Sequence, residues 1–255
     1  MIEHKGESTS NAIRKRLEKS VGRGQRTNTP TLAVIARAAN SSLWTPDGKR
    51  LLDFTSGVLV SNLGHNHFKF ENHFRRYLRG LPRTSYNAVT PIEIEASERL
   101  IATMKDNPNA QKMLWAATGS EGIQKAMWAA MHRSPERDIL VATRFGFHGK
   151  KGLAGDVSGE TSPNPNVRFI SFPMDDGKPQ SFYQKELDSL AKKYSKRIAL
   201  LITEPYLGAA GSFHPPKWYH PMLEAWCRKH GAPFIFDEVQ SCHGRTGNML
   251  SLIHI

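Results

Sequence analysis

The chain has 255 residues, 35 lysines and arginines against 23 acidic residues, and a formal charge of +12. Its 39% hydrophobic content excludes a wholly disordered chain; 20 glycines and 15 prolines are ordinary and exclude collagen-like or low-complexity classes. No apolar stretch approaches the ~20 residues of a membrane helix, the start lacks the apolar core of a secretory signal, and two cysteines, Cys227 and Cys242, make no disulfide framework, which places the chain in a reducing cytoplasm.

In chain order, residues 1–30 are polar and charged, and a helix is expected around 10–20. The basic run Arg14-Lys15-Arg16, Lys19, Arg23 and Arg26 carries no interleaved aromatic and no zinc-ligand spacing, so it reads as a solvated arm and not as a nucleic-acid site. Leu43-Trp44-Thr45-Pro46-Asp47-Gly48-Lys49-Arg50-Leu51-Leu52-Asp53-Phe54 predicts a hairpin, because apolar flanks surround a turn with proline's fixed φ and a glycine. Residues 66–80 and 91–105 look helical, the second with Ile92, Ile94, Ala96, Leu100 and Ile101 roughly on one face. From 112 onward short apolar runs alternate with helical segments: strands at 112–117, 139–143, 167–172, 198–203 and 233–236, and helices at 119–132, 182–194 and 216–229, the last ending at Gly231. This pattern implies an α/β fold, a mostly parallel sheet with helices on both faces.

In such a sheet, ligands lie beyond the carboxyl ends of the strands. Four places qualify. Thr118-Gly119-Ser120-Glu121 opens a helix whose first N–H groups suit a phosphate, although Thr118 and Glu121 also spell an ordinary capping box. Phe145-Gly146-Phe147-His148-Gly149-Lys150 offers a flat ring and an imidazole, or simply a glycine-rich turn. Glu204 ends a very apolar strand and needs a partner there, a structural salt bridge being one option. Asp237-Glu238 ends the last strand and suits either a metal or a protonated ring nitrogen, as pyridoxal phosphate enzymes require. His65-x-His67 would lie on one strand face, but no dependable metal-ligand spacing accompanies it, so no metal is expected.

Taken in order, Gly119-Ser120, Phe147-His148-Gly149, Glu204-Pro205, Asp237-Glu238-Val239-Gln240 and Gly244-Arg245-Thr246-Gly247 resemble the class III (omega) aminotransferases, of fold type I among the pyridoxal phosphate enzymes. Leu43-Trp44, Asp53-Phe54, Ser56-Gly57 and Leu63-Gly64-His65-x-His67 look like that family's N-terminal segment. The resemblance implies pyridoxal 5'-phosphate as cofactor, an amine or omega-amino acid donor, a 2-oxo acid acceptor and a homodimer. It implies that Gly119 and Ser120 hold the phosphate and that Phe147 stacks on the ring. Asp237 would pair with the ring nitrogen, Val239 would cover the opposite face, and Gln240 would approach the ring hydroxyl. Glu204 becomes a supporting partner, and His148 a support of the Phe147 turn.

Four departures qualify this reading. Ala209 stands where some members carry a glutamate masking a substrate-binding arginine, which weighs against ornithine-like or 4-aminobutyrate-like specificity. Lys150 stands where acetylornithine-type members have a carboxylate-binding arginine; it keeps the charge but loses the bidentate fork. Gly122 replaces a usual alanine at a cost of about 1 kcal/mol in helix propensity. Finally, the family's cofactor-anchoring (Schiff-base) lysine follows the Asp-Glu-Val-Gln segment, whereas the last lysine here is Lys229. No catalytic residue is therefore assigned, and the chain reads as a fragment inactive alone. The expected organisation is an arm (1–40), a segment of hairpin and helices (41–110) and a partial cofactor-binding large domain (111–249); 250–255 resembles the translation of a transposon-end adapter. Alternative functions are an aminomutase or racemase of the same class, or a non-catalytic binding protein using its basic surface.

Overall fold

The structure is a computed structural model that describes residues 2–22, 29–82, 87–104, 107 and 110–251. Arg23, Arg26 and residues 252–255 of the adapter-like tail lie outside the described residues. Contacts divide the chain into two compact units, Met1–Ala88 and Val89–Ile255.

In the first unit, helix α1 (Ser8–Ser20) begins against the Asp47 carboxylate, which accepts the N–H groups of Thr9 (2.8 Å) and Ser10 (3.0 Å) and so caps the helix from a distance in sequence. The basic run is not one solvated patch. Arg14 is buried and gives its guanidinium to Glu7 (2.7 Å) and the Leu32 carbonyl (2.9 Å). Strands β1 (Arg37–Ala39), β2 (Ser42–Trp44) and β3 (Arg50–Leu52) form an antiparallel sheet. The expected hairpin is β2–β3, with Gly48 at φ 86° in its turn. Strand β1 was not anticipated; Arg37 lies 4.0 Å over the Trp44 ring opposite it. Segment α2 (Ser56–Leu59) is one turn in which all four residues have positive φ (47°, 62°, 62° and 65°), and α3 (Phe68–Leu78) follows. His65 and His67 do not share a strand face. His65 bonds the Asp53 carboxylate (2.6 Å), and His67 stacks on Phe68 at the start of α3.

The second unit begins with α4 (Pro91–Ala102), whose proline sits at a helix start where its missing N–H costs nothing. The strand expected at 112–117 does not form: no ladder partner exists for it among the described residues, and Leu114 (69%) and Trp115 (44%) remain exposed. Helix α5 (Gly119–His132) then leads to four strands: β4 (Ile139–Thr143), β5 (Val167–Ile170), β6 (Ile198–Thr203) and β7 (Phe234–Phe236). Their order is β5-β4-β6-β7, and all pairs are parallel. The connections carry α6 (Gly152–Asp156), α7 (Gln180–Tyr194) and α8 (Tyr219–His230).

Alternation along the strands builds two apolar layers. Ile139, Val141, Ile170, Ile198 and Leu201 pack toward α7 and α8, while Leu140, Ala142, Val167, Leu200 and Ile202 pack toward α5 and α6. Both faces being covered, β4 and β6 are apolar almost throughout and fully buried. A register shift lets Ile139 pair with Ile198 but Leu140 with Leu200, so Ala199 and Leu200 both face the α5 layer. At the amino ends of the strands, the Arg137 guanidinium donates to the carbonyls of Ile198 (3.2 Å), His230 (3.1 Å) and Gly231 (2.8 Å). It thereby satisfies the end of α8, which stops at Gly231 in the left-handed conformation (φ 62°).

Candidate functional site

The parallel register aligns the carboxyl ends of β4, β6 and β7, and the residues singled out at those ends meet. Thr143 and Thr203, the last residues of β4 and β6, pair hydroxyl to hydroxyl at 3.1 Å. Just beyond β7, the Asp237 N–H continues the ladder to the Thr203 carbonyl (2.8 Å). This fixes a buried carboxylate whose Oδ2 lies 2.8 Å from His148 Nδ1 and whose Oδ1 accepts the Val239 N–H at 3.0 Å. Glu238 turns away and accepts the hydroxyls of Ser241 (2.6 Å) and Ser251 (2.7 Å), so only one of the two adjacent carboxylates serves the cluster. Among the described residues no three His, Cys, Asp or Glu side chains gather as a metal set.

His148 is held in place by its turn. Its N–H donates to Ser158 Oγ (2.8 Å), which in turn donates to the Ala154 carbonyl (2.8 Å). Gly146 permits the fold of the turn, since a Cβ there would come within 2.9 Å of His148 Nε2 and 3.2 Å of the Thr143 carbonyl. The neighbouring Phe147 remains half exposed, while its N–H donates inward to Glu204 Oε2 at 3.0 Å.

Glu204 is buried at the end of β6. The salt bridge considered for it is absent: no lysine or arginine pairs with it among the described residues. Burial pushes its carboxyl up to about 7, opposed by the hydrogen bond from Phe147. His220 of α8 is buried, and burial holds its imidazole down at about 4.

Opposite these turns is the start of α5. Thr118 accepts the Glu121 N–H (3.2 Å), and the Glu121 carboxylate returns to the Ala117 N–H (2.8 Å). The capping pattern is therefore present, yet the N–H groups of Gly119 and Ser120 and the Ser120 hydroxyl have no partner among the described residues. Both strand-end turns press against them. A Cβ on Gly119 would lie 3.1 Å from a Val239 methyl, and one on Gly149 would lie 2.6 Å from Ser120 Oγ. Lys150, one residue further, is exposed. The last wall is a hairpin closed by Leu207 and Phe213 (N···O 3.0 and 3.3 Å). The Gln240 side chain occupies the space a Cβ on Gly208 would need, and its Oε1 is buried with no partner among the described residues.

The Aminotransferase class-III family matches residues 23–255. The chain belongs to the class-III aminotransferases. Among curated members it is 31% identical to an acetylornithine aminotransferase of Streptomyces coelicolor, over 86% of this chain and 52% of that one. It is 25% identical to a probable 4-aminobutyrate aminotransferase of Bacillus subtilis, over 93% and 57%. An amine transaminase from an uncultivated Pseudomonas species, solved with PLP bound, superposes with a TM-score of 0.79 at 27% identity, covering 91% of this chain and 56% of that one. This class-III chain thus spans about half the length of the curated relatives it matches. Its parallel sheet is that of the fold type I transaminases. Within it the structure brings together Phe147, His148, Glu204 and Asp237 at one sheet end, and Gly119, Ser120, Val239 and Gln240 around it. Sequence reasoning passed over Ser158, His220 and the Thr143–Thr203 pair. The threonines carried a signal, each closing an otherwise apolar run; Ser158 and His220 carried none.

Proposed function

We propose that this chain binds pyridoxal 5'-phosphate at the carboxyl ends of β4, β6 and β7 and supplies that part of a transaminase site. The amino group would move from an amine or omega-amino acid to a 2-oxo acid, in a cytoplasmic homodimer without nucleic-acid or membrane partners. The observation that carries this reading is the buried Asp237–His148 pair, facing a helix start whose first two N–H groups and serine hydroxyl are unspent. Several features suit the cofactor: an anion-binding helix end, a half-exposed Phe147 ring, the unpartnered Gln240 amide oxygen and a buried carboxylate bonded to an imidazole. No helix among the described residues is long and apolar enough to cross a membrane.

When bound, the cofactor supplies a protonated pyridine ring that withdraws electrons from the substrate carbon. Gly119, Ser120 and the start of α5 would hold its phosphate, and Phe147 and Val239 would cover the ring. Asp237 would keep a proton on the ring nitrogen, because an ionised carboxylate favours the charged form of its partner. His148, donating to Oδ2, fixes the direction in which Asp237 presents its oxygens. Gln240 would approach the ring hydroxyl, and Lys150 would meet a substrate carboxylate as a point charge.

This sequence contains no lysine after Lys229. The covalent anchor and proton carrier of the reaction is thus not supplied here, and we propose that the chain alone does not turn over. Two measurements test the reading. Calorimetric titration with pyridoxamine 5'-phosphate, which needs no covalent bond, is expected to show saturable binding. Asp237→Asn is expected to weaken it about tenfold, the loss of one charge-assisted hydrogen bond. Absence of binding, or sustained transamination by the unaided chain, overturns the proposal.

A further inference from the structure

We infer that Ser158 is a positioning residue whose one hydroxyl fixes both ends of the cofactor cleft, the ring-nitrogen end through His148 and the phosphate end through Gly149. The inference rests on the cofactor reading above and gives a task to a residue that reading leaves idle.

Ser158 lies just past α6 and is half-buried. Its Oγ accepts the His148 N–H at 2.8 Å and the Gly149 N–H at 3.2 Å. Its own proton goes to the Ala154 carbonyl at 2.8 Å, with the Gly149 carbonyl at 3.1 Å as a second acceptor in reach. Two lone pairs and one proton are the full capacity of a hydroxyl, and all are committed. No main-chain carbonyl accepts the His148 or Gly149 N–H among the described residues. The other limb of the same turn is held differently. The Phe145 N–H donates to the Gly159 carbonyl at 2.7 Å, and the Gly159 N–H to the Gly146 carbonyl at 2.8 Å. Main chain alone therefore holds Phe145–Gly146, whereas His148–Gly149 depends on the side chain at 158.

Each residue of the dependent limb faces one end of the cleft. His148 sets its imidazole against the Asp237 carboxylate at 2.8 Å, and the other Asp237 oxygen accepts the Val239 N–H at 3.0 Å. Gly149 lies so near α5 that a Cβ on it would stand 2.6 Å from Ser120 Oγ. A displaced limb thus moves the carboxylate assigned to the ring nitrogen and the surroundings of the serine assigned to the phosphate. The mount beneath is firm: Ala154 and Val157 are fully buried in the layer between the sheet and α5, so the hydroxyl stands on packed core.

Nuclear magnetic resonance of the ligand-free chain reads this linkage without the cofactor. In Ser158→Ala, protection of the His148 and Gly149 amides against hydrogen exchange is expected to fall together by about tenfold, while the Phe145 and Gly159 amides keep theirs. The amide resonances of Val239 and Ser120, at the two ends of the cleft, are expected to shift, and those of Leu200 and Ile202 in the sheet to stay. Ser158→Thr, which keeps the hydroxyl, is expected to restore both sets. Pyridoxamine 5'-phosphate is expected to bind about tenfold more weakly to Ser158→Ala and within about twofold of wild type to Ser158→Thr. Unchanged protection of the two amides, a shift confined to one end of the cleft, or equal affinity in all three proteins overturns the inference. Loss of protection at both amides in a chain whose wild type binds no pyridoxamine 5'-phosphate overturns the cofactor reading, and with it the role in a cofactor cleft. If Ser158→Ala fails to fold, Ser158→Cys, which keeps the volume and offers only a weak acceptor, takes its place with the same expectations.

Discussion

Glu204 also has a thermodynamic signature. Its carboxyl titrates near 7 in the folded chain against an ordinary 4.5, so between those values the native state binds the proton that the unfolded state has released. The stability conferred by the protonated acid is complete below 4.5 and is lost as pH rises through about 7, a loss on the order of 3 kcal/mol. Glu204→Gln is therefore expected to be more stable than the wild type by about that amount above pH 8 and to show no advantage below pH 5, as read by denaturant unfolding across pH. His220 works in the opposite sense: its imidazole is held at about 4 against 6.5, and its contribution is lost as pH falls through that interval.

At the scale of elements, α5 joins local and tertiary logic. Its Thr118 cap and Glu121 return bond are set by neighbouring residues, as is the Gly231 stop of α8. Gly122, by contrast, has no structural explanation: a Cβ there would make only an ordinary contact with Ala116 at 3.8 Å. Gly122→Ala is expected to stabilise the unit by about 0.5–1 kcal/mol, visible as a raised denaturation midpoint with unchanged slope. The same division separates what could be read in advance from what could not. Strands β4 and β6 were legible as apolar runs bounded by turns, and so Phe147, His148, Glu204 and Asp237 were legible as residues just past such runs. The stretch at 112–117 is also largely apolar but holds no β-branched residue and forms no strand, because strand formation needs both a pleat-fitting side chain and a neighbour. Conversely, Arg37-Ala38-Ala39 pairs although its residues favour strands weakly, because β2 and the Trp44 ring lie alongside. The Ser158 link to the His148 turn exists only once α6 has brought it there.

On the scale of the whole molecule, a doubly covered sheet hides its strands well, and residual apolar exposure therefore stands out. Leu114 and Trp115 lie outside any ladder among the described residues and face solvent. Leu114→Lys is expected to lower concentration-dependent light scattering of the 255-residue chain while moving its unfolding free energy by no more than about 0.5 kcal/mol. A large loss of stability would show instead that Leu114 is packed.

The Arg137 contacts have a consequence for how this scaffold tolerates change. One guanidinium binds the start of β6 and the end of α8 at the sheet end remote from the site. The strands are thus riveted where no chemistry happens, and load applied at the opposite end is absorbed by loops before β4 and β6 can slide. Loop sequences there can therefore vary or lengthen while the frame beneath them keeps its alignment.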